Sequence, residues 1–184
     1  MSGLRALALA VLASAALTGA ARLPATVFDL SDAVGKRGPA LTLTASDGSF
    51  IPLPARGRPT YVFLFAGWCG PCQESLPFVR SAFAKYGDRV RFVGVDVLED
   101  AAAAHAAVVT AALPFPVAIY PIDELDAAVP LLTQLHAGTK YRIPADYLLD
   151  ADGVVRYAWH GLAVSRGGEP VDVLPGYLAK LGIE

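Results

Sequence analysis

The sequence predicts an α/β fold, a central mixed β-sheet flanked by helices and preceded by a β-hairpin, and three observations carry that expectation. The continuous apolar run over 61–65, the mostly apolar stretch 90–97 and the run 115–119 read as buried strands. Helical spacing separates them, in Leu76, Val79, Ala82 and Phe83 and again in the alanine-rich stretch after Asp100. Turn signals at Asp47-Gly48 and Asp152-Gly153 lie between extended segments and mark two hairpins.

Taken in order, the chain of 184 residues begins with Arg5 and an uncharged run over 6–21, rich in Ala and Leu. That pattern reads as an export signal, with the small residues Thr18 and Ala20 suited to a peptidase and an uncleaved anchor as the alternative. Residues 1–20 are therefore assigned to a signal peptide or anchor, 21–39 to a leader segment, and 40–184 to one domain large enough for a substantial core. The hairpin over 40–53 carries Pro52, which belongs on a sheet edge. After the loop 56–59 and the strand 61–65, a helix runs from about Pro71 to Tyr86, kinked at Pro77 and ended by Gly87. Strand 90–97 follows, then Asp100 as the cap of a helix to about Leu113, then strand 115–119. Residues 121–140 read as an excursion with a helical piece over 124–135. Strands 147–149 and 154–159 pair across the turn 150–153, and a helix over 171–181 closes the chain.

The two cysteines of the chain stand together in Trp68-Cys69-Gly70-Pro71-Cys72, where the strand 61–65 hands over to its helix. This places Cys69 at the helix N-terminus with its sulfur exposed and Cys72 one turn in and shielded. Unpaired amides and the helix dipole favour a thiolate on Cys69; a pKa lowered from about 8.5 to about 7 corresponds to roughly 2 kcal/mol. A structural zinc site lacks two further ligands at suitable spacing, and a disulfide closing so short a loop restricts the unfolded chain very little. Redox chemistry is the reading that uses both thiols. A metallochaperone holding copper through the thiolates and a histidine, with His136 the nearest upstream of Pro144, is an alternative from another class. A redox-silent interaction module is disfavoured by the intact dithiol. The formal net charge of −2 gives no basic field for nucleic acid.

With these residues in place the chain resembles the thioredoxin superfamily, and within it the exported TlpA-like and ResA-like thiol–disulfide oxidoreductases. The resemblance covers about 40–181 and rests on the hairpin before the active-site strand, on Phe65-Ala66-Gly67-Trp68-Cys69-Gly70-Pro71-Cys72, on Pro77, and on Ile143-Pro144 ahead of Tyr147-Leu148-Leu149-Asp150. It implies a thioredoxin-like fold, a redox-active Cys69–Cys72 disulfide with no further cofactor and no metal, and a cis Pro144 opposite the disulfide. It also implies that Trp68, Ile143 and Pro144 line a groove for protein disulfide substrates, with Gly70 and Pro71 in support. The same resemblance implies a monomer in the periplasm or another extracytoplasmic space, soluble or anchored, reduced by a membrane thiol donor and serving targets such as apocytochrome c. A disulfide-forming oxidase is the rival within the class.

Two positions depart from the family pattern. Phe63 occupies the place of a buried aspartate, and Ser75 that of a glutamate, so the proton acceptor for Cys72 must come from elsewhere. Asp146 is the candidate, because alternation along the strand puts it on the same face as Pro144. Asp96 is a weaker rival, Glu74 turns toward solvent, and Trp159 and His160 are candidates for the border of the site.

Overall fold

The computed structural model describes residues 26–55, 57–124, 131–133, 135 and 142–184. The expected signal or anchor, His136 and most of the helix expected over 124–135 lie outside the described residues. Among the described residues the named elements are, in chain order, β1 (Thr26–Asp29), β2 (Leu41–Thr44), β3 (Phe50–Leu53), β4 (Thr60–Phe65), α1 (Gly70–Tyr86), β5 (Arg91–Val97), α2 (Ala101–Ala111), β6 (Val117–Tyr120), β7 (Ala145–Leu149), β8 (Val155–Val164) and α3 (Leu174–Lys180).

The central sheet is mixed, with strand order β1-β8-β7-β4-β5-β6. β4, β5 and β6 are parallel, while β7, β8 and β1 run antiparallel to their neighbours. Alternation along the strands then builds two cores. Tyr61, Phe63 and Phe65 of β4 join Leu76 and Val79 of α1, Ala111 of α2 and Leu178 of α3 on one face. Val62 and Leu64 join Leu43, Ile51 and Leu131 on the other. The crossovers β4–α1–β5 and β5–α2–β6 put both helices on one face, as successive crossovers of one hand require.

Several boundaries differ from the sequence expectation for local reasons. Thr26–Asp29, in the segment assigned to a leader, pairs with β8, so the folded unit begins before residue 40. β6 starts at Val117, not at 115, because Pro116 has no amide hydrogen to give a ladder. α2 stops at Ala111, where Ala112 takes φ 46° and its N–H closes on the carbonyl of Val108. α3 starts at Leu174, whose N–H is accepted by Asp172 Oδ1 at 3.1 Å, and Pro175 presets its first turn. The β2–β3 hairpin forms a two-stranded sheet of its own, touching the central sheet through the isolated bridge Ala45 to Ala118. α1 continues through Pro77, and Asp100 caps α2 through Oδ1, which accepts from Ala103 N at 2.9 Å.

Candidate active site

Cys69 is the N-cap residue of α1, with extended backbone at φ −83° and ψ 103°, and its Sγ accepts the backbone N–H of Cys72 at 3.2 Å. The two cysteines are joined as a disulfide with their Cα atoms 5.2 Å apart. Gly70 and Pro71 form the first turn, where a proline costs no hydrogen bond. Cys69 is 4% exposed and Cys72 0%, so the first sulfur is the more accessible of the two but is much less exposed than its position suggested. Its neighbours cover it: Cys69 belongs to the aromatic core on the helix face, and the large exposed group of the site is Trp68, at 63%. The indole Nε1 of Trp68 donates to the carbonyl of Leu98 at 3.2 Å. The Ile143–Pro144 peptide is cis, Ile143 is half-buried against both cores, and the carbonyl of Pro144 accepts the N–H of Gly161 at 2.8 Å.

Beneath the active-site helix two acids lie on the strands that flank β4. Phe63 stands opposite Asp146 of β7, and Phe65 opposite Asp96 of β5, so both carboxyls share the helix face of the sheet with the stacked rings of Phe63 and Phe65. Asp146 is 5% exposed and accepts a hydrogen bond from Tyr61 Oη, a residue on the same face two positions before Phe63. Burial pushes Asp146 up to about 7, the Tyr61 bond opposes the rise, and the charge of Asp172 adds to it. Burial pushes Asp96 up to about 9, with the adjacent Glu99 carboxyl contributing. At neutral pH Asp96 keeps its proton, whereas Asp146 lies near the middle of its titration. A cavity of about 30 Å3 lies against Asp146, lined also by Tyr61, Ser75, Trp159 and Asp172. It has room for a water able to carry a proton onward, and the small side chain of Ser75 helps to make that room.

Sequence reasoning missed Tyr61 and Glu99. In the sequence Tyr61 reads as one apolar strand residue among five, although its parity with Phe63 already puts its hydroxyl on the helix face. Glu99 carries no periodic signal because it leaves β5 through a turn. Glu74 is exposed, as expected. His160 lies with Nε2 3.2 Å from Arg142 Nη1, beside the Pro144 loop, and burial together with that arginine lowers its pKa. Among the described residues no group of three His, Cys, Asp or Glu side chains could hold a metal ion.

The profile of the redoxin family matches residues 33–163, well over half of the chain. The chain belongs to the redoxin family. This redoxin is similar in fold to the thioredoxin domain of a thiol-disulfide oxidoreductase from Bacteroides vulgatus, with a TM-score of 0.63 and 16% identity over 81% of this chain and 97% of that one. It is likewise similar to a secreted disulfide oxidoreductase of Mycobacterium tuberculosis homologous to DsbE of E. coli, with a TM-score of 0.57 and 21% identity over 77% and 96% of the two chains. Chloroplastic thioredoxin Y of Oryza sativa subsp. japonica is 32% identical over 68 residues, which are 35% of this chain and 40% of that relative's length. The redoxin therefore joins a thioredoxin-like fold to a CxxC disulfide at a helix N-terminus, the equipment of a thiol–disulfide oxidoreductase.

Proposed function

We propose that the protein is an exported thiol–disulfide reductase acting on extracytoplasmic proteins. The observation that supports this reading most is the Cys69–Cys72 disulfide at the N-cap of α1, with Asp146 on the sheet face beneath that helix. The reduced enzyme starts the cycle. Cys69, as thiolate, attacks one sulfur of a substrate disulfide; a Cys69–substrate disulfide forms and the other substrate sulfur leaves as thiolate. Cys72 then gives its proton to Asp146 and attacks the Cys69 sulfur, releasing the second substrate thiolate. Two electrons pass to the substrate, and the enzyme is left as the disulfide seen here.

The N-terminal end of α1 serves the first step, since the Cys72 N–H that bonds the Cys69 sulfur stabilises it as an anion. Tyr61 and the cavity serve the second: the hydroxyl orients the carboxyl, and a water in the cavity passes the proton onward past Ser75. Trp68, Ile143 and Pro144 present the groove for an extended partner segment. Gly70-Pro71 is the dipeptide of thioredoxin, whose potential lies near −270 mV, against about −120 mV for a strong oxidant. Among the described residues no helix is long and apolar enough to cross a membrane. Export, reduction by a membrane thiol donor and service to apocytochrome c or other exported proteins belong to this proposal, and rest on the basic and apolar N-terminus and on the resemblance.

Trapping tests the reading. Cys72→Ser is expected to accumulate mixed disulfides with exported proteins and Cys69→Ser is not. An enzyme that forms disulfides in a reduced protein faster than it reduces them would reverse the assigned direction.

A further inference from the structure

Asp96 has no part in the steps above, yet it is fully buried on the helix face of the sheet, and neither of its carboxyl oxygens has a hydrogen-bond partner within ordinary distance. The group that acts on it is Glu99, itself 7% exposed. Glu99 Oε1 accepts the N–H of Gly67 at 2.5 Å, and the Glu99 backbone carbonyl accepts the N–H of Ile122 at 2.8 Å. Other contacts close on the same loop. Trp68 Nε1 donates to the Leu98 carbonyl, and Gln73 Nε2 donates to that of Gly67 at 3.2 Å. A Cβ at Gly67 would meet Ala107 Cβ at 2.7 Å and the Glu99 carboxyl oxygens at 3.3 and 3.4 Å, so the glycine is what lets the carboxyl approach the backbone. The turn that delivers Glu99 passes through Leu98 at φ 67°, a left-handed conformation rarely adopted by leucine. This strained turn holds a carboxyl against the peptide two residues ahead of Cys69.

We propose that Asp96 and Glu99 act as one carboxyl pair that places a single negative charge against the Gly67 peptide, and that this charge biases the Cys69–Cys72 dithiol toward giving up its electrons. The inference rests on the dithiol being the working centre and extends the reductase reading to the cause of its direction; it is independent of Asp146. A charge on one of two neighbouring buried acids disfavours a charge on the other. Asp96, pushed up to about 9, keeps the proton at neutral pH, while Glu99, accepting an N–H, holds the charge. Among the described residues no salt bridge neutralises it. Phe65 and Ile119 flank Asp96 in the sheet, α2 buries Ala104, Ala107 and Ala111 and exposes His105, α1 contributes the Gln73 amide, and Asp100, Asp123 and Glu124 are exposed on adjoining turns.

The Cα atoms of Gly67 and Cys69 are at most about 7 Å apart, and the Glu99 carboxyl and the Cys69 side chain add several ångströms between charge and sulfur. A unit charge about 12 Å away, with an effective dielectric of about 20, disfavours the Cys69 thiolate roughly tenfold. A less stable thiolate makes a less stable reduced form, the reverse of the arrangement that makes a strong oxidant. Asp96 and Glu99 are thus positioning residues that act through the loop and its field without touching the substrate.

The experiment uses the whole exported protein, with glutathione as the redox probe and iodoacetamide as the thiol probe. Glu99→Gln keeps an acceptor for the Gly67 N–H and removes the charge. Its equilibrium with glutathione should shift about tenfold toward the reduced enzyme, a rise of ~30 mV, with Cys69 labelled correspondingly faster at neutral pH. Asp96→Asn mimics the protonated acid, so its neutral-pH equilibrium should stay within about twofold of wild type. Above about pH 9 the wild type gains a second charge and departs from this variant. An unmoved equilibrium and labelling rate in a folded Glu99→Gln protein overturn the proposal, as does a neutral-pH shift in Asp96→Asn as large as that in Glu99→Gln. Should Glu99→Gln fail to fold, the comparison of wild type with Asp96→Asn decides: coincidence above about pH 9 overturns the pair, and divergence supports it. A wild-type protein unable to exchange with glutathione would overturn the reductase reading and this inference with it.

Discussion

Replacing Asp146 with asparagine keeps the side-chain shape and an acceptor for Tyr61 Oη, and removes the group proposed to take the Cys72 proton. The size of the effect follows from burial. A thiol of ordinary pKa, about 8.5, is ~3% ionised at pH 7, and desolvation lowers that fraction further because it disfavours the anion. Cys72 is 0% exposed and sits among aromatic rings, so a bias of about tenfold against the anion leaves ~0.3% thiolate to resolve the mixed disulfide unaided. A carboxylate with a pKa of about 7 restores the missing base at neutral pH. Asp146→Asn should therefore resolve about 30- to 300-fold more slowly near pH 7. Its rate should keep rising about tenfold per pH unit to beyond about pH 9, where the wild type has levelled off near the pKa of Asp146. Ellman's reagent reads this directly in single turnover, because attack by Cys69 and resolution by Cys72 each release one coloured thiolate, in two phases. Glu74→Gln serves as the exposed control and should leave both phases unchanged. A second phase in Asp146→Asn with wild-type rate and pH profile would refute the assignment and leave water as the acceptor.

Asp96 makes folding depend on pH in a defined direction. Its pKa is raised from 3.8 to about 9 in the folded protein, so the folded chain holds a proton that the unfolded chain has released, and its contribution to stability is full below about pH 4 and is lost as pH rises toward 9. Asp96→Asn should gain on the wild type by up to ~1.4 kcal/mol per pH unit, about 4 kcal/mol between pH 4 and pH 7, measured as the difference in urea denaturation; a difference independent of pH would contradict the buried acid. Removing the α2 cap by Asp100→Ala should cost about 1 kcal/mol, read as a lower urea midpoint with an unchanged slope. Alkylation of the reduced protein at neutral pH should label Cys69 before Cys72, and faster labelling of Cys72 would exchange their roles. On the proposed export, intact mass should show the loss of residues 1–20, whereas Met1 retained in membrane fractions would indicate an anchor.

What could be read from the chain was set by local rules. Turn residues at Asp47-Gly48 and Asp152-Gly153, apolar runs of strand length, and Asp100 before an alanine stretch each act over a few residues, and each reappears in the fold. β1 was not legible, because Thr26–Asp29 is a strand only by virtue of β8, more than a hundred residues away in the chain. The start of α3 and the end of α2 differ from expectation by two or three residues, since apolar spacing continues past the left-handed Ala112 and the Asp172 side chain that set the ends.

By itself the sequence determined the dithiol, its place at a strand-to-helix junction, and the emptiness of the usual acid positions at Phe63 and Ser75, since all of these are matters of spacing along one chain. The tertiary structure decided which carboxyls lie on the sheet face beneath the active-site helix. Asp146 and Asp96 are fifty residues apart, yet they flank Phe63 and Phe65 because β7 and β5 are the two neighbours of β4. Their protonation differs with the surroundings that the fold supplies: burial raises both, the Tyr61 hydrogen bond opposes the rise at Asp146, and the Glu99 carboxyl adds to it at Asp96. Strand order sets the neighbours, and the neighbours set the protonation state.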